Sequence, residues 1–146
     1  ARVMDLQDPT SKMSKSAGSD VGLINLLDDP AVVLKKFKRA VTDSETEVRY
    51  DRAAKPGVSN LLEILAACTG ETPLALAGRY SQYGPLKVDA GQAVVELLAP
   101  IQARYRELMA DRGELQSLLR KGSAKAREVA SATLARAQSA IGVLPA

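Results

Sequence analysis

Apolar residues recur every three or four positions along most of this chain, and this spacing restricts the fold to packed helices. Aromatic residues make up only 3% of the 146 residues, so a core must be built from Leu, Val, Ile and Ala, which suits helix-on-helix packing. The longest periodic run, residues 86–110, has apolar positions at Ala90, Val94, Leu97 or Leu98, Ile101, Tyr105 and Leu108. We therefore expect a mostly α-helical bundle of five or six helices.

Proline, glycine and small polar residues mark where these helices begin and end. The first three predicted helices are 30–41, started by Asp29-Pro30; one capped by Ser59 or Asn60 and stopped by Gly70; and a short one opened by Thr72-Pro73 and broken at Tyr83-Gly84-Pro85. The next two are 86–110, with a kink or boundary at Pro100, and 114–121, after a break at Asp111-Arg112-Gly113. The last helix is expected to run from a Ser123 cap to Ile141, with a core face of Ala126, Val129 or Ala130, Thr133, Ala137 and Ile141.

The first 28 residues carry no clear helical pattern. Residues 1–6 alternate loosely and predict a short strand. Residues 8–20 are rich in Ser, Asp, Lys, Gly and Pro and predict a mobile loop. Because the sequence enters this strand at Ala1, without an initiator Met, we expect a fragment whose amino-terminal half is missing.

Composition excludes several kinds of site. The chain has no His and a single cysteine, Cys68, so Ser-His-Asp or Cys-His catalysis, a His-based metal site and an internal disulfide are excluded. We expect Cys68 to be a small buried hydrophobe, since it follows Leu61, Leu62 and Leu65 at helical spacing. The sequence contains no run of about 18 apolar residues, so no membrane-spanning helix is predicted. A net charge of +3 weakly favours an anionic partner.

Chemistry concentrates in residues 12–16, Lys-Met-Ser-Lys-Ser. Lys12 and Lys15 can place two ammonium charges on a phosphate chain, with hydroxyl donors beside them. Lysines that engage a leaving pyrophosphate only in the transition state raise the rate without tightening ground-state binding. The alternative interpretation is a solvated loop without a ligand.

The same five residues are, letter for letter, the second signature of class I aminoacyl-tRNA synthetases. The chain resembles the bacterial tryptophanyl-tRNA synthetases within that class, and the resemblance covers essentially its whole length. Residues 40–45, Ala-Val-Thr-Asp-Ser-Glu, and 55–62, Lys-Pro-Gly-Val-Ser-Asn-Leu-Leu, separate it from other class I synthetases, of which the tyrosyl enzymes are the nearest. The residues after the signature, Ala17-Gly18-Ser19-Asp20, depart from the family pattern.

This resemblance implies a role for each residue of the loop. Lys12, Met13, Ser14, Lys15 and Ser16 match the ATP-binding loop, in which Lys15 is the principal phosphate contact and Lys12 supports it. The backbone at Val3 matches a position that lies against adenine. Residues 1–20 would be the edge of a catalytic nucleotide-binding domain, and residues 21–146 a helical domain that binds tRNA at its anticodon.

The resemblance also implies partners. The parent enzyme would be a cytoplasmic homodimer that uses ATP with Mg²⁺, holds no protein-bound metal, and attaches tryptophan to tRNA(Trp). The His-bearing first signature and the tryptophan pocket would lie in the missing amino-terminal half. Without that half, the fragment alone should be inactive.

Basic residues after the loop are compatible with RNA binding. Lys35, Lys36, Lys38 and Arg39 place four positive charges within five residues, and residues 115–140 are also basic. Asp43 could accept a hydrogen bond from an anticodon cytosine, or simply form a turn. Tyr80, Tyr83 and Tyr105 could stack on bases, although Tyr105 fits the core better.

Two alternatives to a synthetase fragment remain open from sequence. One is a stand-alone helical RNA-binding module whose loop is a non-catalytic relic. The other is a helical interaction protein with no nucleic-acid role, in which the basic residues form an ordinary solvated helix face.

Overall fold

The computed structural model describes residues 2–16 and 20–143, and the mostly helical fold is as the periodicity predicts. The chain divides into two compact units, residues 1–102 and residues 103–146. The described residues form five helices, which are α1 (Pro30–Lys38), α2 (Pro56–Thr69), α3 (Pro73–Ala77), α4 (Tyr83–Ala110) and α5 (Arg112–Ile141). No helix in the described part of the chain is both long and apolar enough to cross a membrane.

The first unit is built around α2, which is apolar on several faces and therefore buried. Leu61 and Leu62 of this helix are almost inaccessible to solvent. Side chains from the neighbouring elements complete the same core: Leu6, Val33, Phe37, Leu76, Leu86 and Ala90. This core fixes the first and last helices of the unit relative to residues 2–16, and so supports the loop that carries the signature.

Local signals set several helix ends as predicted. The Asp29 side chain accepts from the Ala31 amide with Pro30 in the first turn, and Thr72 caps α3 in the same way. Gly70 ends α2 in the left-handed conformation, with φ at 78°. Helix α1 stops at Lys38 instead of Val41, because the Val41 amide donates to the Leu6 carbonyl at 2.8 Å.

The predicted start of α2 is wrong by one turn. The helix begins at Pro56 after an N-cap at Lys55, and Ser59 and Asn60 lie buried inside it. Neither side chain caps the helix, since the Ser59 hydroxyl accepts from the Asp51 amide and Asn60 binds the backbone of Met4. Tertiary contacts therefore explain these two polar residues.

Helix α4 corrects two predictions. Tyr83, Gly84 and Pro85 form its first turn, where a proline removes no intrahelical hydrogen bond. Pro100 lies inside the helix and does not end it. Its position is exposed, so solvent can satisfy the carbonyl that loses its helical partner.

The second unit contains the end of α4 and the whole of α5. Helix α5 is continuous through Gly122 and Ser123, so the predicted short helix 114–121 and the break after it are wrong. A mid-helix Gly costs about 1 kcal/mol, which a 30-residue helix tolerates. None of its described residues is buried, so the predicted core face from Ala126 to Ile141 is exposed. Tyr105, predicted to be core, is 44% exposed.

Candidate functional site

The segment before the signature folds back on itself to form a narrow, two-armed turn. Met4 pairs with Lys12 in an antiparallel bridge, where the sequence predicts a short strand over residues 1–6. The Asp5 amide donates to the Ser11 carbonyl at 2.9 Å, and the Met13 amide donates to the Val3 carbonyl at 3.0 Å. This pairing sets the direction in which the chain enters the signature.

Two carboxylates hold the tip of the turn. Asp8 accepts from the Thr10 hydroxyl and the Ser11 hydroxyl, each at 2.6 Å. These bonds, from Ser11 and then Thr10, lower the pKa of Asp8. Asp5 is buried and accepts from the amides of Gln7 and Asp8 at 2.7 and 3.1 Å. The tip is therefore shaped by its own side chains before any ligand binds.

Both signature lysines are exposed, as a phosphate-binding role requires. Neither the Lys12 nor the Lys15 ammonium has a partner in the described part of the chain. Met13 between them is half-buried and packs against the core. The Ser14 hydroxyl accepts from the Ser16 amide at 3.3 Å. Residues 17–19 of the predicted loop 8–20 lie outside the described residues.

Asn60 attaches this turn to the core. Its side-chain oxygen accepts from the Met4 amide at 3.1 Å, and its side-chain nitrogen donates to the Met4 carbonyl at 3.0 Å. Asn60 is only 4% exposed. A cleft of about 490 Å³ lies beside this pair of bonds, lined in part by Thr10 and Glu63.

The residues after the loop are also fixed to its beginning. The Leu6 amide donates to the Gly22 carbonyl at 3.0 Å. Gly22 lies so close to Asp5 that an added Cβ would be 1.8 Å from the carboxylate oxygen. Only glycine permits this approach, and the chain on both sides of residues 7–21 is therefore anchored at one point.

Lys36, predicted to bind tRNA, points inward. Its ammonium donates to Asp28 at 2.9 Å, to the Leu23 carbonyl at 2.8 Å and to Asp20 at 3.4 Å. Burial lowers the pKa of Lys36, but the hydrogen bonds to the two carboxylates outweigh burial and raise the pKa above its ordinary value. Lys36 thus ties α1 to the segment that follows the loop.

The other three basic residues of this group share one surface. Lys35, Lys38 and Arg39 are exposed and line a shallow depression of about 410 Å³ together with Ala31 and Leu34. The structure therefore brings these three charges together and separates Lys36 from them. A surface of this kind can contact the phosphates of a nucleic acid.

Asp43 is half-buried and belongs to a polar cluster around the buried Lys55. One of its oxygens accepts from Lys55 at 3.0 Å, from the Tyr83 hydroxyl at 2.5 Å and from the Glu45 amide at 2.9 Å. Burial raises the pKa of Asp43, but these hydrogen bonds outweigh it and the pKa lies below its ordinary value. Tyr83, a candidate for base stacking, is thus held by this carboxylate.

Lys55 is the centre of that cluster, with a side chain 1% exposed. It also pairs with Glu45 at 2.6 Å. Burial lowers the pKa of Lys55, but its bonds to Glu45, Tyr83 and Asp43 raise the pKa well above its ordinary value. This ammonium therefore stays charged and is a structural group.

Two further predictions concern Cys68 and Tyr80. Cys68 is half-buried rather than buried as predicted, and its partial burial raises the pKa of the thiol. The Tyr80 hydroxyl donates to Asp89 at 2.9 Å, and burial together with this bond raises its pKa to about 12. The described residues contain no group of three or more His, Cys, Asp or Glu side chains that could hold a metal ion.

Asn60 and Lys55 are the residues that sequence reasoning missed. Each is a polar residue bordering an apolar helical run, and a buried polar side chain needs a partner. The sequence around Leu61 and Leu62 shows that such a partner is needed. The sequence does not show which residue the partner is, because Met4 lies 56 residues from Asn60.

Comparison with known proteins identifies the family. A family model described as tRNA synthetases class I (W and Y) matches residues 1–99. The chain belongs to this family of class I tRNA synthetases. It is 55% identical over 146 residues to tryptophan–tRNA ligase 1 of Streptomyces avermitilis, and 55% identical over 147 residues to tryptophan–tRNA ligase of Mycobacterium leprae. The whole chain is covered in the first alignment and 99% of it in the second.

A solved member of the class I synthetases has a similar structure. The crystal structure of tryptophanyl-tRNA synthetase from Mycoplasma pneumoniae matches with a TM-score of 0.86 at 34% identity. That match covers 98% of this chain and 44% of the solved one. The chain spans less than half of its curated relatives, 44% of the Streptomyces protein and 43% of the Mycobacterium protein.

Proposed function

We propose that this chain is the carboxy-terminal part of a tryptophan–tRNA ligase. Such an enzyme activates L-tryptophan with ATP to tryptophanyl-adenylate and transfers the tryptophan to tRNA(Trp). The observation that carries the proposal is the pair of exposed lysines, Lys12 and Lys15, in the Lys-Met-Ser-Lys-Ser segment of a chain that belongs to the class I synthetase family and whose relatives bear this name. The rest of such an enzyme would supply the tryptophan pocket.

The loop residues act on the phosphates of ATP in this proposal. When the tryptophan carboxylate attacks the α-phosphate, pyrophosphate leaves and negative charge accumulates on it. Lys15 contacts that charge and Lys12 supports it, so both stabilise the transition state more than the ground state. Met13 anchors the loop on the core, while Ser14 and Ser16 offer hydroxyl donors. Mg²⁺ arrives with ATP as part of the substrate, which fits the general preference of this ion for substrate phosphates.

The backbone at Val3 is proposed to lie against adenine. Its carbonyl already accepts from Met13, so the adenine position and the signature are linked by one hydrogen bond. In this arrangement residues 1–20 form the edge of a catalytic domain. Residues 21–146 form the tRNA-binding region.

We propose that Lys35, Lys38 and Arg39 contact tRNA phosphates. Lys36 supports them by holding α1 in place, since its ammonium is enclosed by carboxylates. Asp43 remains our proposal for an anticodon contact. Its second oxygen is buried and has no partner among the described residues, so this contact requires Asp43 to move out of the cluster around Lys55. As a translation enzyme, the parent would act in the cytoplasm, and we propose a homodimer.

The test of the catalytic proposal is a chimera in which this chain replaces the matching segment of the Streptomyces avermitilis ligase. We expect tryptophan-dependent exchange of pyrophosphate into ATP. Lys15→Ala should lower that exchange by about 100-fold or more, because a charge aimed at the transition state is lost. Lys125→Ala, which removes another exposed lysine, in α5, should leave exchange unchanged.

A folded chimera that binds ATP and tryptophan but exchanges nothing would contradict the proposal. The stand-alone RNA-binding interpretation would then be preferred. Equal exchange in the Lys15→Ala and Lys125→Ala variants would remove the catalytic role of the loop while leaving the family intact.

RNA binding has a separate test that does not depend on exchange. In the chimera, Lys35→Ala with Lys38→Ala should weaken binding of tRNA(Trp) and reduce the dependence of log affinity on log salt by about 1 to 2. Lys12→Ala should not change that slope. An unchanged slope in the double variant would place the tRNA contact elsewhere.

A further inference from the structure

Asn60 is a buried polar residue whose bonds point at the signature rather than at its own helix. It lies in α2 between Ser59 and Leu61, and both neighbours are 1% exposed. A polar side chain costs free energy in such a position unless its hydrogen bonds are made. Asn60 makes two of them with a single residue, Met4.

The two bonds satisfy both backbone groups of Met4. An amide side chain that accepts from an N–H and donates to the C=O of one residue imitates a neighbouring strand. On its other side, Met4 pairs with Lys12 in the antiparallel bridge. The chain of contacts therefore runs from the core of α2 through Asn60 and Met4 to the first signature lysine.

Displacement of this pairing would move the signature as a unit. The Met13 amide is bound to the Val3 carbonyl, and Lys15 follows two residues later. A shift of Met4 therefore reaches Lys15 through a short segment of fixed backbone. A misplacement of about 1 Å can cost about 100-fold in rate when the displaced group must meet a transition state.

We propose that Asn60 is a positioning residue for the signature lysines: its two bonds to Met4 set where Lys12 and Lys15 meet the phosphates. This inference rests on the proposed function of the loop. Asn60 itself touches neither ATP nor tryptophan in this account.

The test uses the chimera described above and two variants of Asn60. Asn60→Leu has similar volume and makes neither bond, and Asn60→Asp retains only the acceptor when ionised. The matched control is Ser59→Ala, which removes a buried hydrogen bond to Asp51 from the same helix without touching the turn. Both Asn60 variants should lower kcat for exchange about 10- to 100-fold, whereas Ser59→Ala should change it less than about threefold.

A double-mutant cycle separates positioning from loss of folded enzyme. Partial unfolding would lower activity by the same factor whether or not Lys15 is present. If Asn60 acts through Lys15, Asn60→Asp should cost less than about threefold in the Lys15→Ala background. Amide hydrogen exchange gives a second readout, since Asp5 and Met13 should lose protection in Asn60→Asp and keep it in Ser59→Ala.

Each outcome decides one point. A folded parent chimera that binds ATP and tryptophan but exchanges nothing rejects the proposed function, and the hydrogen-exchange experiment then reports on the Asn60–Met4 bonds alone. An active parent that is sensitive to Lys15→Ala, with equal effects of Asn60→Asp in both backgrounds, overturns the positioning role. Unchanged protection of Asp5 and Met13 in both Asn60 variants overturns it as well.

Discussion

The two units of this chain are stabilised in different ways. Residues 2–102 bury a continuous set of apolar side chains around α2, whereas no described residue of α5 is buried. The exposed signature lysines lie in the first unit, on a turn that is bonded to its core. A site that must hold charges in fixed positions requires such support from packing and hydrogen bonds.

The hydrogen bonds show the same difference. In the first unit, side-chain bonds join residues far apart in sequence, such as Asn60 with Met4 and Tyr83 with Asp43. In the second, Arg104 reaches Glu114, ten residues away, and Asp111 caps its own helix. We infer that folding of the first unit depends on tertiary contacts, and that of the second mainly on helix propensity and local pairs.

The largest expected contrast is in core substitutions. Leu62 is fully buried and Leu134 is 57% exposed. Leu62→Ala should lower the free energy of unfolding by about 3 kcal/mol, because it removes buried apolar surface and leaves a cavity. Leu134→Ala should change it by less than about 0.5 kcal/mol. Urea unfolding of the 146-residue chain, followed by tyrosine fluorescence, measures both.

Equal losses from these two substitutions would contradict the comparison. They would mean that Leu134 is covered when the chain is in solution. Association of the chain would then be the first property to measure, by sedimentation at several concentrations.

A smaller effect is expected at Asp43. Asp43→Asn removes the ion pair with buried Lys55, which keeps Glu45 and Tyr83 as partners. We expect a loss of about 1 to 2 kcal/mol at neutral pH.

Lower pH should reduce the difference in the free energy of unfolding between the unsubstituted chain and Asp43→Asn. The pKa of Asp43 is below its ordinary value of 3.8 in the folded chain, so its contribution is complete above about pH 4 and is lost as the pH falls through the folded value. The stabilities of the parent and of Asp43→Asn should therefore converge below about pH 4. A constant gap down to pH 2 would show that the carboxylate charge is not the cause.

Sequence reasoning succeeded where the signal is local. Asp29, Thr72 and Gly70 act at helix ends because capping depends on residues within one turn. Ser59 is also a capping residue type, yet its hydroxyl accepts from the Asp51 amide, so the prediction that it caps α2 is wrong. In α5 the apolar spacing is present, but none of its described residues is buried.

The candidate site was proposed from consecutive residues. Lys12 and Lys15 stay predictions for phosphate binding, because the pattern that indicates such a loop lies within five neighbouring positions. The inward direction of Lys36 depends on Asp28 and on the carbonyl of Leu23, which meet it only in the folded chain. Charge runs thus predict a basic region, while tertiary contacts decide which of its members are available to a ligand.

The smallest expected effect concerns the same substitution in the two units. Gly122 lies inside α5 with nothing within 4 Å of an added Cβ. Gly122→Ala should stabilise α5 by about 0.5 to 1 kcal/mol, since alanine loses less backbone entropy in a helix. Gly70 has φ at 78° at the end of α2, so Gly70→Ala should cost about 1 kcal/mol.

Amide hydrogen exchange can resolve these two glycine effects. In Gly122→Ala, exchange near residue 122 should slow by about two- to fivefold, which is the factor that 0.5 to 1 kcal/mol gives. In Gly70→Ala, exchange at the end of α2 should become faster. If Gly122→Ala did not slow amide exchange in α5, the stability of this helix would depend on contacts rather than on helix propensity. That result would contradict the proposed difference between the two units.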